Sequence, residues 1–107
     1  IPDENLLVIV DDIALPFGIL RLRPRGGDGG HNGLNNIIQV LGHQQFARLR
    51  FGIGSDYPQG MQVNYVLGKW SENEESKLPD KIKISHDIIR SFGLAGIETT
   101  MNEYNNR

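Results

Sequence analysis

The sequence predicts an α/β fold in which a parallel or mixed β-sheet is covered by helices. Three observations carry that prediction. A continuous apolar run, Leu6 to Val10, ends in Asp11 and Asp12, and such runs read as strands buried on both faces. Two later segments, "ILRLRP" and "ARLRFGIG", alternate apolar residues with arginine or glycine, the period of a strand with one buried face. Elsewhere the apolar spacing lengthens to the three-and-four step of a helix.

The bulk numbers fit one domain. The chain has 107 residues, 38% hydrophobic and 22% charged, which suits a folded globular chain rather than a disordered one. A chain of this size buries roughly 60–70% of its unfolded surface, enough for a real core. The absence of cysteine excludes disulfides and thiolate metal sites. No apolar run approaches the roughly 18 residues of a membrane span and no signal peptide is visible, so the expectation is a cytoplasmic chain with no membrane partner. A strand such as "LLVIV" seldom opens a small domain. Residues 1–107 are therefore expected to be a piece of a longer one, the alternative being a trimmed N-terminus.

The elements follow in order. Residues 6–11 form the first strand. "ALPFG", 14–18, is a turn, where Pro16 fixes the backbone. In the strand at 19–24, Leu20 and Leu22 share one face and Arg21 and Arg23 the other, and Pro24 ends it. A glycine loop, "GGDGG", follows at 26–30. From Asn32 the period changes: Leu34, Ile37, Ile38 and Leu41 mark one face of a helix, and Gly42 is its C-terminal cap. Residues 47–54 are a strand with Leu49, Phe51 and Ile53 on one face. Residues 55–62 read as loop, and "VNYVLGKW", 63–70, fits a short strand or an extended connection. Ser71 and Glu74 have capping-box spacing. The helix they open runs to about Phe92 with Leu78, Ile82, Ile88, Ile89 and Phe92 on one side, and Pro79 is expected to break or kink it. A short helix near 95–103 closes the chain.

Charge is unevenly spread. Residues 19–54 hold Arg21, Arg23, Arg25, Arg48 and Arg50 against Asp28, a net of +4, whereas the whole chain carries −2. If the two leucine–arginine strands are neighbours, their guanidiniums form a patch suited to phosphate oxygens. The alternative is a solvated face with each arginine paired to an acid.

The stretch "RPRGGDGGHNGLNN" raises three options. A glycine loop entering a helix can cradle a phosphate on free N–H groups, yet its spacing matches neither the dinucleotide fingerprint nor the P-loop. It can equally be a hinge. His31 and Asn32 are the residues in it able to do chemistry, although Asn32 can also cap the helix and His31 can be an ordinary hydrogen-bonded loop histidine. Asp11 and Asp12 stand where α/β proteins place their sites, at the C-terminal end of a buried strand. With three histidines and no cysteine, a metal centre is poorly supported. His43 and His86 receive no role.

Taken in order, "LLVIVDDIALPFGILRLRPRGGDGGHNGLNNIIQVLG", "FARLRFGIG", "NYVLGKW" and "GLAGIETTMNEYNN" resemble the bacterial-type peptidyl-tRNA hydrolases along nearly the whole chain. The resemblance implies a single three-layer α/β/α domain with a mixed sheet between helices. It implies an esterase that releases the peptide from peptidyl-tRNA, working as a monomer without metal or cofactor. Position by position, it implies that Asp11 holds and polarises a catalytic histidine, by the general logic of a carboxylate that fixes an imidazole. Asn32 contacts the substrate near the ester, His31 lines the site, and Gly29 and Gly30 belong to its mobile wall. Arg23 and Arg50 clamp a tRNA phosphate.

The chain also departs from the family. The histidine that activates water belongs to a segment upstream of the first strand, with Asn-Pro-Gly and Arg-His-Asn motifs, and a further asparagine belongs to Phe-Met-Asn. None of these occurs here. Val10 stands where the family has a companion histidine before Asp11. The resemblance thus implies that these 107 residues alone are inactive or nearly so. Two other readings stay open: a non-catalytic RNA-binding relative of the same fold, and His31 acting as a substitute base.

Overall fold

The computed structural model describes residues 2–55, 60 and 62–105. Three strands, β1 (Leu7–Asp12), β2 (Leu20–Arg23) and β3 (Ala47–Gly52), form one sheet in the order β1-β3-β2. β3 is central. It pairs parallel with β1, from Leu7↔Ala47 to Asp12↔Gly52, and antiparallel with β2, from Leu20↔Phe51 to Arg23↔Arg48. The sheet is mixed, as the family resemblance implies. The helices are α1 (Asn32–Leu41), α2 (Gln62–Val66), α3 (Glu72–Ala95) and α4 (Ile97–Tyr104).

The pleat sorts side chains into two layers. On one face Leu20, Leu22 and Leu49 bury with Ile88 of α3, and Leu7, Phe51, Ile84, Ile97 and Met101 pack around them. On the other face Val10 and Leu34 of α1 bury with Phe46, supported by Val8, Ile37, Ile38 and Leu41. Leu49 is fully buried at the crossing of both strand pairs, and burying such a side chain is worth about 1.5–3 kcal/mol. α1 therefore covers only the β1 side of its face. The β2–β3 side of that face carries arginines instead of apolar residues, and this division sets where the site lies.

The edges of the sheet are treated differently. β2 is closed by Asn105, whose side-chain amide accepts from Leu22 N–H at 2.7 Å and donates to Leu22 C=O at 2.9 Å, as a neighbouring strand would. β1 has no strand on its outer side among the described residues, and Ile9 is 52% exposed there.

Two expectations are corrected here. α3 is a single helix through Pro79, rather than broken at it. Pro79 removes one hydrogen bond, but the helix is secured on either side of it: the Ser71–Glu74 capping box holds the start, and Ile84 and Ile88 pack on the sheet. Its buried stripe is also narrower than the sequence pattern, since Ile82 and Ile89 remain exposed. Of the segment read as loop at 55–62, residues 56–59 and 61 lie outside the described residues.

Two outcomes are expected. Exposed strand edges template association, so the 107-residue chain should self-associate in sedimentation velocity and Ile9→Lys should reduce this; a stable monomer would contradict it. At Gly52 an added Cβ would stand 2.1 Å from Pro16 O and 2.8 Å from Leu15 Cβ. Gly52→Ala should therefore lower stability by about 1–3 kcal/mol in urea denaturation, and an unmoved midpoint would refute the close approach.

Candidate active site

A cleft of about 670 Å³ opens beside the C-terminal end of β1. The glycine loop forms one wall, the β2 and β3 arginines another, and α2 a third through Gln62 and Val66. All seven residues nominated from sequence line it: Asp11, Arg23, Gly29, Gly30, His31, Asn32 and Arg50.

One contact in it joins residues twenty positions apart. His31 Nε2 lies 2.7 Å from Asp11 Oδ1. His31 is also the N-cap of α1, with an extended backbone (φ −81°, ψ 115°), and its Nδ1 accepts Leu34 N–H at 3.0 Å. These two contacts determine the tautomer of the neutral ring. Nδ1 accepts, so Nε2 carries the hydrogen and donates it to Asp11. Both ring nitrogens are then committed, and no lone pair is left to take a proton from water. A general base needs a free lone pair within reach of the proton it abstracts. The proximity that a substitute base requires is present, but the lone pair is not. Asp11 accepts nothing on Oδ2 among the described residues and is 40% exposed, so one carboxylate oxygen stays open to the cleft.

The glycine loop is tethered at both ends. Asp28 Oδ1 accepts Gly30 N–H at 2.8 Å and Oδ2 accepts the Asn35 amide at 2.6 Å, tying the loop to the first turn of α1. The Asn35 bond first, and the Gly30 N–H second, lower the Asp28 pKa below the usual carboxylate range. Gly29 (φ 57°) and Gly30 (φ 83°) take the left-handed turn that leads into His31, a conformation other residues adopt at a cost. At the loop's start Arg48 donates to Gly27 C=O at 2.9 Å and to Gln44 C=O at 3.1 Å, with its guanidinium 4.4 Å over the Phe46 ring.

The arginines divide by partner. The β2–β3 register sets Arg21 opposite Arg50 and Arg23 opposite Arg48, so all four rise from one face. Arg48 turns inward and is 2% exposed; burial lowers its pKa, from a starting value so high that it stays charged. Arg50 Nε donates to Asp12 Oδ2. Arg21 and Arg23 reach only the carbonyls of Leu20 and Leu22, and no carboxylate pairs with them among the described residues. The patch is thus partly free and partly structural.

Three sequence readings need correction or addition. Asn32 does not cap α1, because His31 holds that position and Asn32 is the helix's first residue. The segment 63–70 is neither strand nor simply extended: Gln62–Val66 is a short helix, and Tyr65 O–H donates to Ile53 C=O, fixing it beside β3. Arg48 does not belong to an exposed patch. Sequence reasoning also missed the tether at Asp28 and the hold of Asp12 on Arg50. An acid between glycine pairs, seven residues before Asn35, is a sign of the first. His43 contacts Asp3 and Gln45 N–H, away from the cleft.

Among the described residues no group of three or more His, Cys, Asp or Glu side chains could hold a metal ion, and no helix is long and apolar enough to cross a membrane.

Comparison with known proteins places this geometry. The family model described as peptidyl-tRNA hydrolase matches residues 1–107. The chain belongs to the peptidyl-tRNA hydrolase family. It is 58% identical, over its full length, to the peptidyl-tRNA hydrolase of Parabacteroides distasonis, of which it covers 57%. It is 57% identical over 105 residues to that of Porphyromonas gingivalis, covering 98% of this chain and 57% of the relative. The crystal structure of peptidyl-tRNA hydrolase from Acinetobacter baumannii matches 92% of this chain and 50% of its own, with TM-score 0.83 and 32% identity. The chain thus spans little more than half the length of the relatives it matches.

The Asp28 tether has a definite pH sign. Its pKa is lowered by folding, so the tether is complete above the usual carboxylate range, about 4, and is lost as pH falls through the lowered value. The Gly30 amide resonance should titrate with a midpoint below that of an aspartate in the unfolded chain. A midpoint at or above it would detach Asp28 from the loop.

Proposed function

We propose that the protein hydrolyses the ester joining peptide and tRNA in peptidyl-tRNA, and that this chain supplies the substrate-holding part of the site. The observation that carries the reading is the Asp11–His31 pair standing in one cleft with Arg23 and Arg50. A carboxylate and an imidazole are groups that organise acyl transfer. On the neighbouring wall Arg23, with no carboxylate partner among the described residues, and Arg50, whose pairing with Asp12 uses only Nε, suit the phosphates of RNA.

The roles divide accordingly. Arg23 and Arg50 bind a phosphate near the acceptor end of tRNA, the 5′ phosphate being within the same chemistry. Asn32, at the exposed mouth of α1, contacts the substrate beside the ester, and Gly29 and Gly30 let the wall approach it closely. Asp11 has an open oxygen for a second donor, which is what a water-activating histidine from another segment needs. His31 keeps the wall in place. The protein acts as a monomer in the cytoplasm, with no cofactor. Because both nitrogens of His31 are committed, these 107 residues alone bind RNA without cleaving the ester.

The test is cleavage of an N-acylated aminoacyl-tRNA. In the intact protein Asp11→Ala should lower kcat/KM by about 10²–10⁴, and Arg50→Ala should reduce the slope of log K against log salt by about 1. The isolated 107-residue chain should bind tRNA and release no peptide. Full activity of Asp11→Ala would end the reading, and cleavage by the isolated chain would return His31 to the role of base.

A further inference from the structure

Among the described residues of the three strands, Asp12 is the one acid on the arginine face. The β1–β3 register sets it beside Gly52, one pleat beyond the Val10–Arg50 pair, so carboxylate and guanidinium rise on the same side of the sheet. Gly52 puts no side chain between them. Asp12 Oδ1 accepts Ala14 N–H at 2.7 Å, and Oδ2 accepts Arg50 Nε–H at 2.5 Å. The carboxylate is held at both oxygens, one by the turn after β1 and one by the guanidinium. The bond to Arg50 is end-on. It uses Nε and leaves both Nη groups without a hydrogen bond among the described residues, in a side chain that lines the cleft. Two effects would otherwise turn Arg50 away. Arg21 stands directly opposite with the same charge, and an untethered arginine spreads over many rotamers.

We propose that Asp12 is a positioning residue, holding Arg50 by Nε so that its two Nη groups present a fork to an RNA phosphate in the cleft. The inference rests on the proposed function for the identity of the anion. Asp12 acts through Arg50 and does not touch the phosphate. Its effect has a sign that separates it from simple electrostatics. Removing a negative charge from an anion-binding cleft should by itself tighten RNA binding. Losing the hold on Arg50 should weaken it.

The measurement is the Kd of the intact protein for uncharged tRNA carrying a 5′ phosphate, at one fixed salt concentration. Asp12→Asn should weaken binding by roughly tenfold, the scale of a hydrogen bond to a charged group. Asp12→Glu, which keeps the carboxylate, should recover part of it. In an Arg50→Ala background, Asp12→Asn should add nothing. The Arg50 Nε–H resonance, sharp and shifted downfield in the parent protein, should move and broaden in Asp12→Asn. Binding by Asp12→Asn equal to or tighter than the parent, additive effects in the double variant, or an unmoved Nε–H resonance would each overturn the inference. Arg50→Ala without effect on binding would instead bring down the phosphate reading of the cleft, and this inference with it.

Discussion

Two antiparallel strands that each alternate leucine with arginine face a constraint. In the observed register their leucines share one face, and so must their arginines. Arg21 lies opposite Arg50 and Arg23 opposite Arg48, and like charges in such pairs destabilise a sheet. The apolar face makes the arrangement worth keeping, because Leu20, Leu22 and Leu49 are almost wholly buried against α3. A slip of one residue would exchange the two faces and bury guanidiniums. The arginine row is therefore the fixed consequence of the core, and much of the site is the set of ways its charge is accommodated.

Each accommodation leaves a structural trace. Arg48 lies under the glycine loop, where three carbonyls and the Phe46 ring receive it and only Nε is left without a partner. Its charge then serves as an anchor for the loop. Arg50 is held by Asp12. Arg21 and Arg23 at the β2 edge have only main-chain partners among the described residues. A row of four equal charges becomes a graded series, from buried and spent to open and available. The same residues join packing to recognition: Phe46 belongs to the α1 core and also receives Arg48.

Local patterns carried much of this. The period-two strands, the α1 stripe with Gly42 behind it in the left-handed region, and the Ser71–Glu74 box were readable because each depends on neighbours in sequence. What sequence could not supply depends on paths between elements. Nothing in "GGDGGHN" says that its histidine reaches Asp11, because that distance is set by the tethers at Asp28 and Arg48. Nothing in "ARLRFG" separates Arg48 from Arg50, whose fates diverge because one lies under the loop and the other beside Asp12. α2 is too short to show a helical period, and it is fixed by Tyr65 on Ile53. Pro79 fails to break α3 for the opposite reason. A local rule was read correctly, and capping and packing on the sheet keep the helix continuous through it.

The proton inventory of His31 bears on how the chemistry of this family is divided along the chain. An imidazole that caps a helix through Nδ1 and donates through Nε2 is a strut, since both of its nitrogens are in use. Protonating it would break the cap: imidazolium has two donors, and Nδ1–H would then face Leu34 N–H. For the same reason a proton arriving from water has nowhere to go on this residue while α1 keeps its first turn. Asp11 is in the contrary position, with one oxygen engaged by the strut and one open. On the proposed reading the strut fixes the carboxylate, and the open oxygen orients whichever base approaches it. On that same reading this chain holds the carboxylate, its strut and the arginines, and a base with a free lone pair would come to Asp11 from elsewhere.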